Sequence, residues 1–334
     1  TPEKAIRGME SVAKLLHRFS LTPEEIAGRT GAPIQSLQEV LNGSKHTPFV
    51  MVDCEDAVAL TPEASERARR GALRCFTQED WGSTLPFFRP AGLLLDTCAE
   101  DLVTVLCNAA ERPAKDSHPV AGIVWPKIEY PEEMKWVCEI LTRVEEDMAM
   151  DTNELKLEFL VESGNSLLHL REIIEVAGQR LVGIIWGIAD YSADINLPRI
   201  QNDHPMCDWA RHEIVNAAGS VNVPAIDCMT LNYPTPIHRG NNLSPAEMAQ
   251  NKSKILEALR EVYQDAVHGI ELGMSGKWVG HPLQLLMVLA AYRNAIPPEQ
   301  IQRDLADIET YRAQVEAGTG ATMLGVGQNA YMAD

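Results

Sequence analysis

The sequence predicts an α/β fold: a (β/α)8 TIM barrel with an N-terminal helical segment and a C-terminal helical lid. Three observations predict it. Short unbroken apolar runs recur through the middle of the chain. Each is followed by a polar turn and then a helical stretch, and the units repeat at a spacing of roughly 30 residues. Strands this apolar need cover on both faces, which helices between parallel strands supply. No run leads into the glycine-rich fingerprint of an open dinucleotide-binding sheet.

The elements follow in order. Residues 1–45 read as helices. Met9 to Phe19 is amphipathic, and Ser20-Leu21-Thr22-Pro23-Glu24-Glu25 is a helix start, with a polar cap, an early proline and acids at the positive end of the dipole. Gly28 to Gly31 breaks that helix, and Pro33 to Leu41 makes another, closed by Asn42-Gly43. Residues 46–296 hold the barrel. Its strand runs are Phe49–Asp53, Leu85–Arg89, Ala121–Lys127, Leu157–Glu162, Leu181–Trp186, Val223–Asp227 and Gly276–Gly280. Helices are expected over Glu63–Cys75, Ala99–Ala109, Pro131–Glu146, Leu167–Val176, Asp208–Ala218, Pro245–Leu272 and Pro282–Ala291. Seven strands are visible, and an eighth is expected ahead of Met9 or upstream of Thr1. Residues 297–334 hold one helix, Pro298 to Glu316, and a glycine-rich tail, read as a lid.

Composition narrows the function. The chain has 334 residues and is 45% hydrophobic, enough for a large core. Lys+Arg 29 against Asp+Glu 47 gives a net charge of −18, which argues against nucleic acid or an anionic membrane as the main partner. No apolar run reaches about 18 residues, so no membrane span is predicted. Thr1-Pro2-Glu3-Lys4 opens no apolar signal segment. Seven scattered cysteines without a C-x-x-C read as reduced thiols, and a cytoplasmic location is expected.

The chemistry is expected at the carboxyl ends of the strands. Those ends are charged one after another: Asp53, Glu55 and Asp56, then Arg89, Lys127, Glu162, Asp190 and Asp227. Glu162 and Asp190, near Lys127 or Arg89, would form an oxygen-rich half-site for Mg²⁺, which takes only one or two carboxylates and keeps room for substrate oxygens. No H-x-x-x-H or H-E-x-x-H pattern supports zinc. Asp227 reads as a buried carboxylate bonded to backbone or to Lys277. Glu145-Glu146-Asp147 reads as a solvated helix end, and Trp125, Trp186 and Trp278 as barrel packing. His281 reads as a loop histidine or an acid–base group. Cys54 lies between acids that would raise its pKa, which disfavours a nucleophile.

These residues also carry a resemblance. Val52-Asp53-Cys54-Glu55-Asp56-Ala57-Val58 resembles the D-x-E-D-A-V strand end of the citrate lyase β-subunit family, the HpcH/HpaI aldolases, which include malyl-CoA and citramalyl-CoA lyases. Glu66-Arg67-Ala68-Arg69 is similar to its A-R, Phe88-Arg89-Pro90 to its strand-ending R, and Trp125-Pro126-Lys127-Ile128-Glu129 to its L-P-K-v-E. Val161-Glu162-Ser163, Gly187-Ile188-Ala189-Asp190-Tyr191 and Pro224-Ala225-Ile226-Asp227 resemble its next three motifs. Gly273 to Gln284 resembles its G-x-x-G-K-x-x-I-H-P-x-Q. The order is kept over about two thirds of the chain. The chain departs from the family at three places. The opening S-x-L-x-x-P-G strand is not found, Ser65 stands where the family has Lys, and the tail matches the G-x-x-x-D lid poorly.

The resemblance implies a carbon–carbon lyase or aldolase that uses Mg²⁺, with Mn²⁺ as a substitute, held by Glu162 and Asp190. Its expected substrate is a 2-oxo or 2-hydroxy acid, carried as a 3-hydroxyacyl-CoA thioester of the malyl-CoA or citramalyl-CoA kind. Arg89 would hold developing negative charge. Glu55, Lys127 and a lid acid, Asp334, would share the catalytic work. Asp56, Gly187 and Ala189 would line the substrate, with Asp53, Asp227 and Lys277 behind them. A homo-oligomer, trimer or hexamer, is implied, because the family's lid reaches a neighbouring subunit. An aldolase of free hydroxy-oxo acids giving pyruvate, oxaloacetate or glyoxylate is the alternative. Two further readings are an inactive metal-binding paralogue and a helix-turn-helix regulator, since Leu21 to Gly43 resembles a repressor-type helix-turn-helix. Its second helix holds Gln35, Gln38 and Glu39 but no Lys or Arg.

Overall fold

Seven parallel strands form one curled sheet in the order in which the chain makes them. The structure, a computed structural model, describes residues 5–43, 45–56, 58–59, 61–110, 118–240, 242–318, 321–325 and 330–333. Three helices come first: α1 (Gly8–Arg18), α2 (Pro23–Thr30) and α3 (Ile34–Asn42). The barrel part runs β1 (Phe49–Asp53), α4 (Pro62–Gln78), β2 (Leu85–Arg89), α5 (Cys98–Leu102), β3 (Gly122–Trp125), α6 (Pro131–Asp147) and β4 (Lys156–Val161). It continues through α7 (Gly164–Leu168), α8 (Leu170–Ala177), β5 (Leu181–Trp186), α9 (Ile188–Asp194), α10 (Pro205–Ser220), β6 (Ala225–Asp227), α11 (Pro245–Glu271), β7 (Gly276–Lys277) and α12 (Pro282–Ala295). The chain ends with α13 (Pro298–Glu316) and an antiparallel pair, β8 (Thr322–Leu324) with β9 (Tyr331–Ala333).

The seven expected strands are all present. The eighth is not among the described residues, where positions 5 and 6 are already helical. Local chemistry sets the helix starts. Thr22 and Ser244 close capping boxes with Glu25 and Glu247, and a proline occupies the first turn of both helices. Helix α2 runs through Gly28 and stops only at Gly31, whose φ of 80° suits a glycine. After α5 the expected single helix loosens into a π-helical turn over Val103–Cys107.

Strand alternation splits the core. Val50, Val52, Phe88, Ile123, Leu157, Phe159 and Ile184 face the covering helices. Phe87, Val124, Leu160 and Ile185 face the inside of the curl. A third cluster joins Val12, Leu16, Ile26 and Leu37 of α1–α3 to Leu259, Val262, Leu283 and Leu286 of α11 and α12. The helix-turn-helix likeness is therefore built into the fold. In α3, Leu37 is buried and Glu39 accepts a 2.6 Å bond from Arg293 of α12. Among the described residues no helix is long and apolar enough to cross a membrane. Helix α13 has no buried residue, and its Ile301, Leu305, Ile308 and Val315 form an exposed stripe.

One interior group is out of keeping. Glu158 of β4 is buried, and among the described residues its Oε2 has no hydrogen-bond partner. Gly183 makes room for it, since a Cβ there would lie 2.6 Å from Glu158 Oε1. Burial raises its pKa from 4.5 to about 7. The folded protein therefore keeps a proton that the unfolded chain releases near pH 4.5, so stability falls as the pH rises from there to about 7 and stays lower above it. Glu158→Gln is expected to raise the thermal midpoint by about 3 °C or more at pH 8. At pH 4 its midpoint should match the wild type, as calorimetry at the two pH values would show.

Candidate active site at the carboxyl ends of the strands

Register builds the first half of the site. Asp53 and Arg89 are paired positions at the ends of β1 and β2, so their side chains leave the sheet side by side. Arg89 Nε and Nη2 donate to the two Asp53 oxygens, each at 2.7 Å, in a bidentate pair. The remaining nitrogen, Nη1, is 3.2 Å from Glu55 Oε2 and 3.5 Å from Asp56 Oδ2. The Trp278 ring, just past β7, lies 5.1 Å from the guanidinium carbon. Asp53 Oδ1 also accepts the Glu55 backbone N–H at 2.9 Å, which turns the chain back toward the rim.

The second half is centred on Lys127. Its backbone takes φ of 56°, uncommon for a residue with a side chain, and its N–H donates to Glu162 Oε1 at 2.7 Å. Its ammonium lies 3.0 Å from Asp190 Oδ1, 3.8 Å from Glu162 Oε1, 3.7 Å from Glu55 Oε1 and 4.0 Å from Asp56 Oδ1. Gly187, at the end of β5, leaves space for Glu162: a Cβ there would sit 2.7 Å from the Glu162 Cβ. Asp190 rides in the first turn of α9 and is about half exposed, as is Asp56, whereas Glu55, Glu162 and Arg89 are buried.

The electrostatics are unbalanced. Among the described residues, Asp53, Glu55, Asp56, Glu162 and Asp190 all lie within ion-pair distance of Arg89 or Lys127. Burial pushes Glu55 up to about 7, and the Arg89 charge offsets only part of this. Burial likewise raises Glu162 against the pull of Lys127. Burial opposes the charge on Lys127, but Glu162, Asp190 and Glu55 outweigh it and hold the ammonium above its ordinary pKa. Among the described residues no three His, Cys, Asp or Glu side chains gather as a ready metal cage. Two carboxylates on an acid-rich, partly open rim suit Mg²⁺, which binds one or two and keeps waters, better than a closed zinc site.

Most of the predicted residues meet here: Asp53, Glu55, Asp56, Arg89, Lys127, Glu162, Gly187 and Asp190 share this rim. Ala189 stands half-buried in α9 beside Asp190. Asp334 lies outside the described residues. Asp227 and Lys277 form a separate buried cluster. Asp227 accepts 2.9 Å from Lys277 Nζ and 2.8 Å from Arg211 Nε, and Lys277 also donates 2.7 Å to the Cys228 carbonyl. Sequence reasoning missed Arg211. Its signal is a charge inside the apolar stripe Cys207, Ala210, Ile214, Ala217 of α10. It missed Glu158 too, an acid between Leu157 and Phe159 in mid-strand.

One expectation fails outright. Glu145 is no solvated helix end. It is buried, pairs with Arg180 at 2.6 Å through both oxygens, and accepts the backbone N–H groups of Asn153 and Leu155. His281 accepts from the Leu283 N–H and caps α12. Cys54 is pushed up to about 12, by burial first and then by Asp101 and Asp53.

The curl of the sheet and the charged rim define the class: a barrel of the citrate lyase type. A citrate lyase from Burkholderia xenovorans LB400 superposes with a TM-score of 0.61 at 17% identity, over 90% of this chain and 82% of that one. A malate synthase of Haloferax volcanii, in its magnesium/glyoxylate complex, gives 0.58 at 18%, over 90% and 76%. The chain belongs to the family described as a domain of unknown function (DUF6986), whose profile matches residues 105–323. It is also similar to two curated proteins called L-malyl-CoA/beta-methylmalyl-CoA lyase. The Rhodobacter capsulatus one is 24% identical over 306 residues, 86% of this chain and 82% of the relative. The Haloarcula marismortui one is 22% identical over 205 residues, 61% of this chain, which spans about half (54%) of that relative.

Removing the hub of the second cluster tests its role. Asp227→Ala removes the carboxylate shared by two buried cations and is expected to cost about 3–5 kcal/mol, whereas Arg29→Ala, which breaks the exposed pair with Glu257, should cost under about 1 kcal/mol. Urea unfolding of the two variants measures the difference.

Proposed function

We propose that the protein is a Mg²⁺-dependent carbon–carbon lyase acting on a 3-hydroxyacyl-CoA thioester of the malyl-CoA or citramalyl-CoA type. The observation that carries this reading is the pair Glu162 and Asp190, 3.8 and 3.0 Å from the same ammonium, on a rim that also holds Arg89. Two relatives called malyl-CoA lyases support the reaction class. Glu162 and Asp190 would hold the divalent ion, with Mn²⁺ able to replace Mg²⁺. When bound, the ion supplies Lewis-acid polarisation of the substrate's carboxylate and hydroxyl or oxo oxygens.

The chain's own residues do the rest. Asp53 occupies one edge of Arg89, Nε and Nη2, which leaves the third nitrogen, with the longest contacts, for a substrate carboxylate. Glu55, with a pKa near neutrality, takes the proton of the substrate hydroxyl. The bond between the hydroxyl-bearing carbon and its neighbour then breaks. Its electron pair passes to the thioester as an enolate, the hydroxyl-bearing carbon leaves as the carbonyl of an oxo acid, and an acid delivers a proton to the thioester's α-carbon. The resemblance gives that acid as Asp334. Lys127 compensates charge on the rim, and Asp56, Gly187 and Ala189 border the bound acid. Asp53 supports the rim through Arg89, and Asp227 with Lys277 braces the ends of β6 and β7 behind Trp278.

Further readings complete the proposal. Division into 1–45, 46–296 and 297–334 follows the helical, barrel and lid segments. The exposed stripe Ile301, Leu305, Ile308, Val315 supports a homo-oligomer, trimer or hexamer, in which α13 packs on another copy. Free cysteines throughout support a cytoplasmic location. Ser65, half-buried on α4 where the family has Lys, favours the free hydroxy-oxo acid as the second substrate reading.

The test is a cleavage assay on malyl-CoA and citramalyl-CoA with and without Mg²⁺. Product thioester should appear only with the metal, and Glu162→Ala should abolish it. Turnover of free acids alone would select the second substrate reading, and no turnover with metal bound would select an inactive paralogue. With Glu55 as the base, the cleavage rate should rise with pH through about 7 and level off. Glu55→Gln should lower the rate by about 100-fold and flatten that rise.

A further inference from the structure

Lys127 lies where a divalent ion shared by Glu162 and Asp190 would have to come. Its ammonium is 3.0 Å from Asp190 Oδ1 and 3.8 Å from Glu162 Oε1. A hard cation sits about 2.1 Å from carboxylate oxygens. An ion on those two oxygens would therefore stand within a few ångströms of the ammonium, with a like charge. The same ammonium has a second pair of carboxylates on its other side, Glu55 Oε1 at 3.7 Å and Asp56 Oδ1 at 4.0 Å. Its side chain is about one-third exposed, and its unbranched stem has four rotatable bonds with which to carry the head from one pair to the other. The main chain is anchored independently, by the 2.7 Å bond from the Lys127 N–H to Glu162 and by a left-handed φ of 56°.

We infer that Lys127 is a built-in placeholder cation: its ammonium neutralises Glu162 and Asp190 in the metal-free protein and gives way to the divalent ion, swinging to Glu55 and Asp56. This rests on the metal reading of Glu162 and Asp190. The exchange has a consequence for the reaction. A lysine moved onto Glu55 and Asp56 faces the incoming acid from the side of Arg89, so loading the site and presenting a cation to the substrate carboxylate become one event. It also keeps the buried Glu162 from standing uncompensated when the ion is absent.

Metal binding and lysine reactivity test it, neither of which needs turnover. Titration calorimetry with Mn²⁺ would compare wild type, Lys127→Met, Lys127→Arg and Glu162→Gln. Lys127→Met keeps a Cβ at the left-handed position, removes only the charge, and is expected to bind Mn²⁺ about tenfold tighter or more. Lys127→Arg should stay near wild type, and Glu162→Gln should lose binding. In the wild-type protein, pulse labelling with an amine-acylating ester, read by mass spectrometry, should mark Lys127 severalfold faster with saturating Mg²⁺ than without it. Equal or weaker binding by Lys127→Met, or unchanged labelling in a wild type that does bind metal, overturns the placeholder role while leaving the metal site standing. Absence of binding by all four proteins overturns the metal reading and the inference with it.

Discussion

The constraint on which the rest depends is the unpaid negative charge of one rim. Five carboxylates converge on two cations at the carboxyl ends of β1 to β5 and the turns that follow them. Carboxylates crowded at this depth repel one another, and water can reach only Asp56 and Asp190 freely. The structure meets the problem in part by pairing Asp53 with Arg89 and in part by placing Lys127 among the other four. What remains is a deficit of positive charge, and that deficit is the site's chemical property. Burial together with the neighbouring Asp56 holds the Glu55 carboxyl up at about 7 despite Arg89 and Lys127.

A parallel sheet makes such convergence unavoidable. Strands that all point the same way deliver their last residues to the same end, and strand register decides which become neighbours. Asp53 and Arg89 are matched positions, so their ion pair is a product of register alone. Glu162 needs more. It leans across β5, where any side chain at Gly187 would displace it, and it is tied to the backbone of Lys127. The site is thus held by main-chain contacts that do not depend on which cation occupies it.

The strands and the rim were legible in the sequence because period and position encode them. Seven apolar runs ending in charge can be read without coordinates, and Glu162, Asp190, Arg89 and Lys127 do meet. Partners drawn from helices were not legible. Glu145 looks like one acid among three at a helix end, yet Arg180, thirty-five residues on, buries it. Arg211 likewise finds its buried carboxylate partner, Asp227, on a strand. Helix residues find their partners by packing angle, which no local pattern states. The eighth strand and Asp334 fall beyond what the described residues hold. The helical character of residues 1–45 was legible, but its docking on α11 and α12 was not.

The two charge clusters differ in how completely their charge is matched. Asp227 is enclosed by two cations, each of the three side chains about 1% exposed, and their remaining hydrogen bonds go to carbonyls and neighbouring side chains. Its charge is more than matched and its donors are used, so nothing further can bind without dismantling it. The rim is the opposite case. Among the described residues it has more carboxylates than cations, one of those cations is about one-third exposed, and two of its acids reach solvent. Compensation that is complete makes a structural brace. Compensation that is incomplete, on a rim open to solvent, leaves carboxylate charge that a further cation could match.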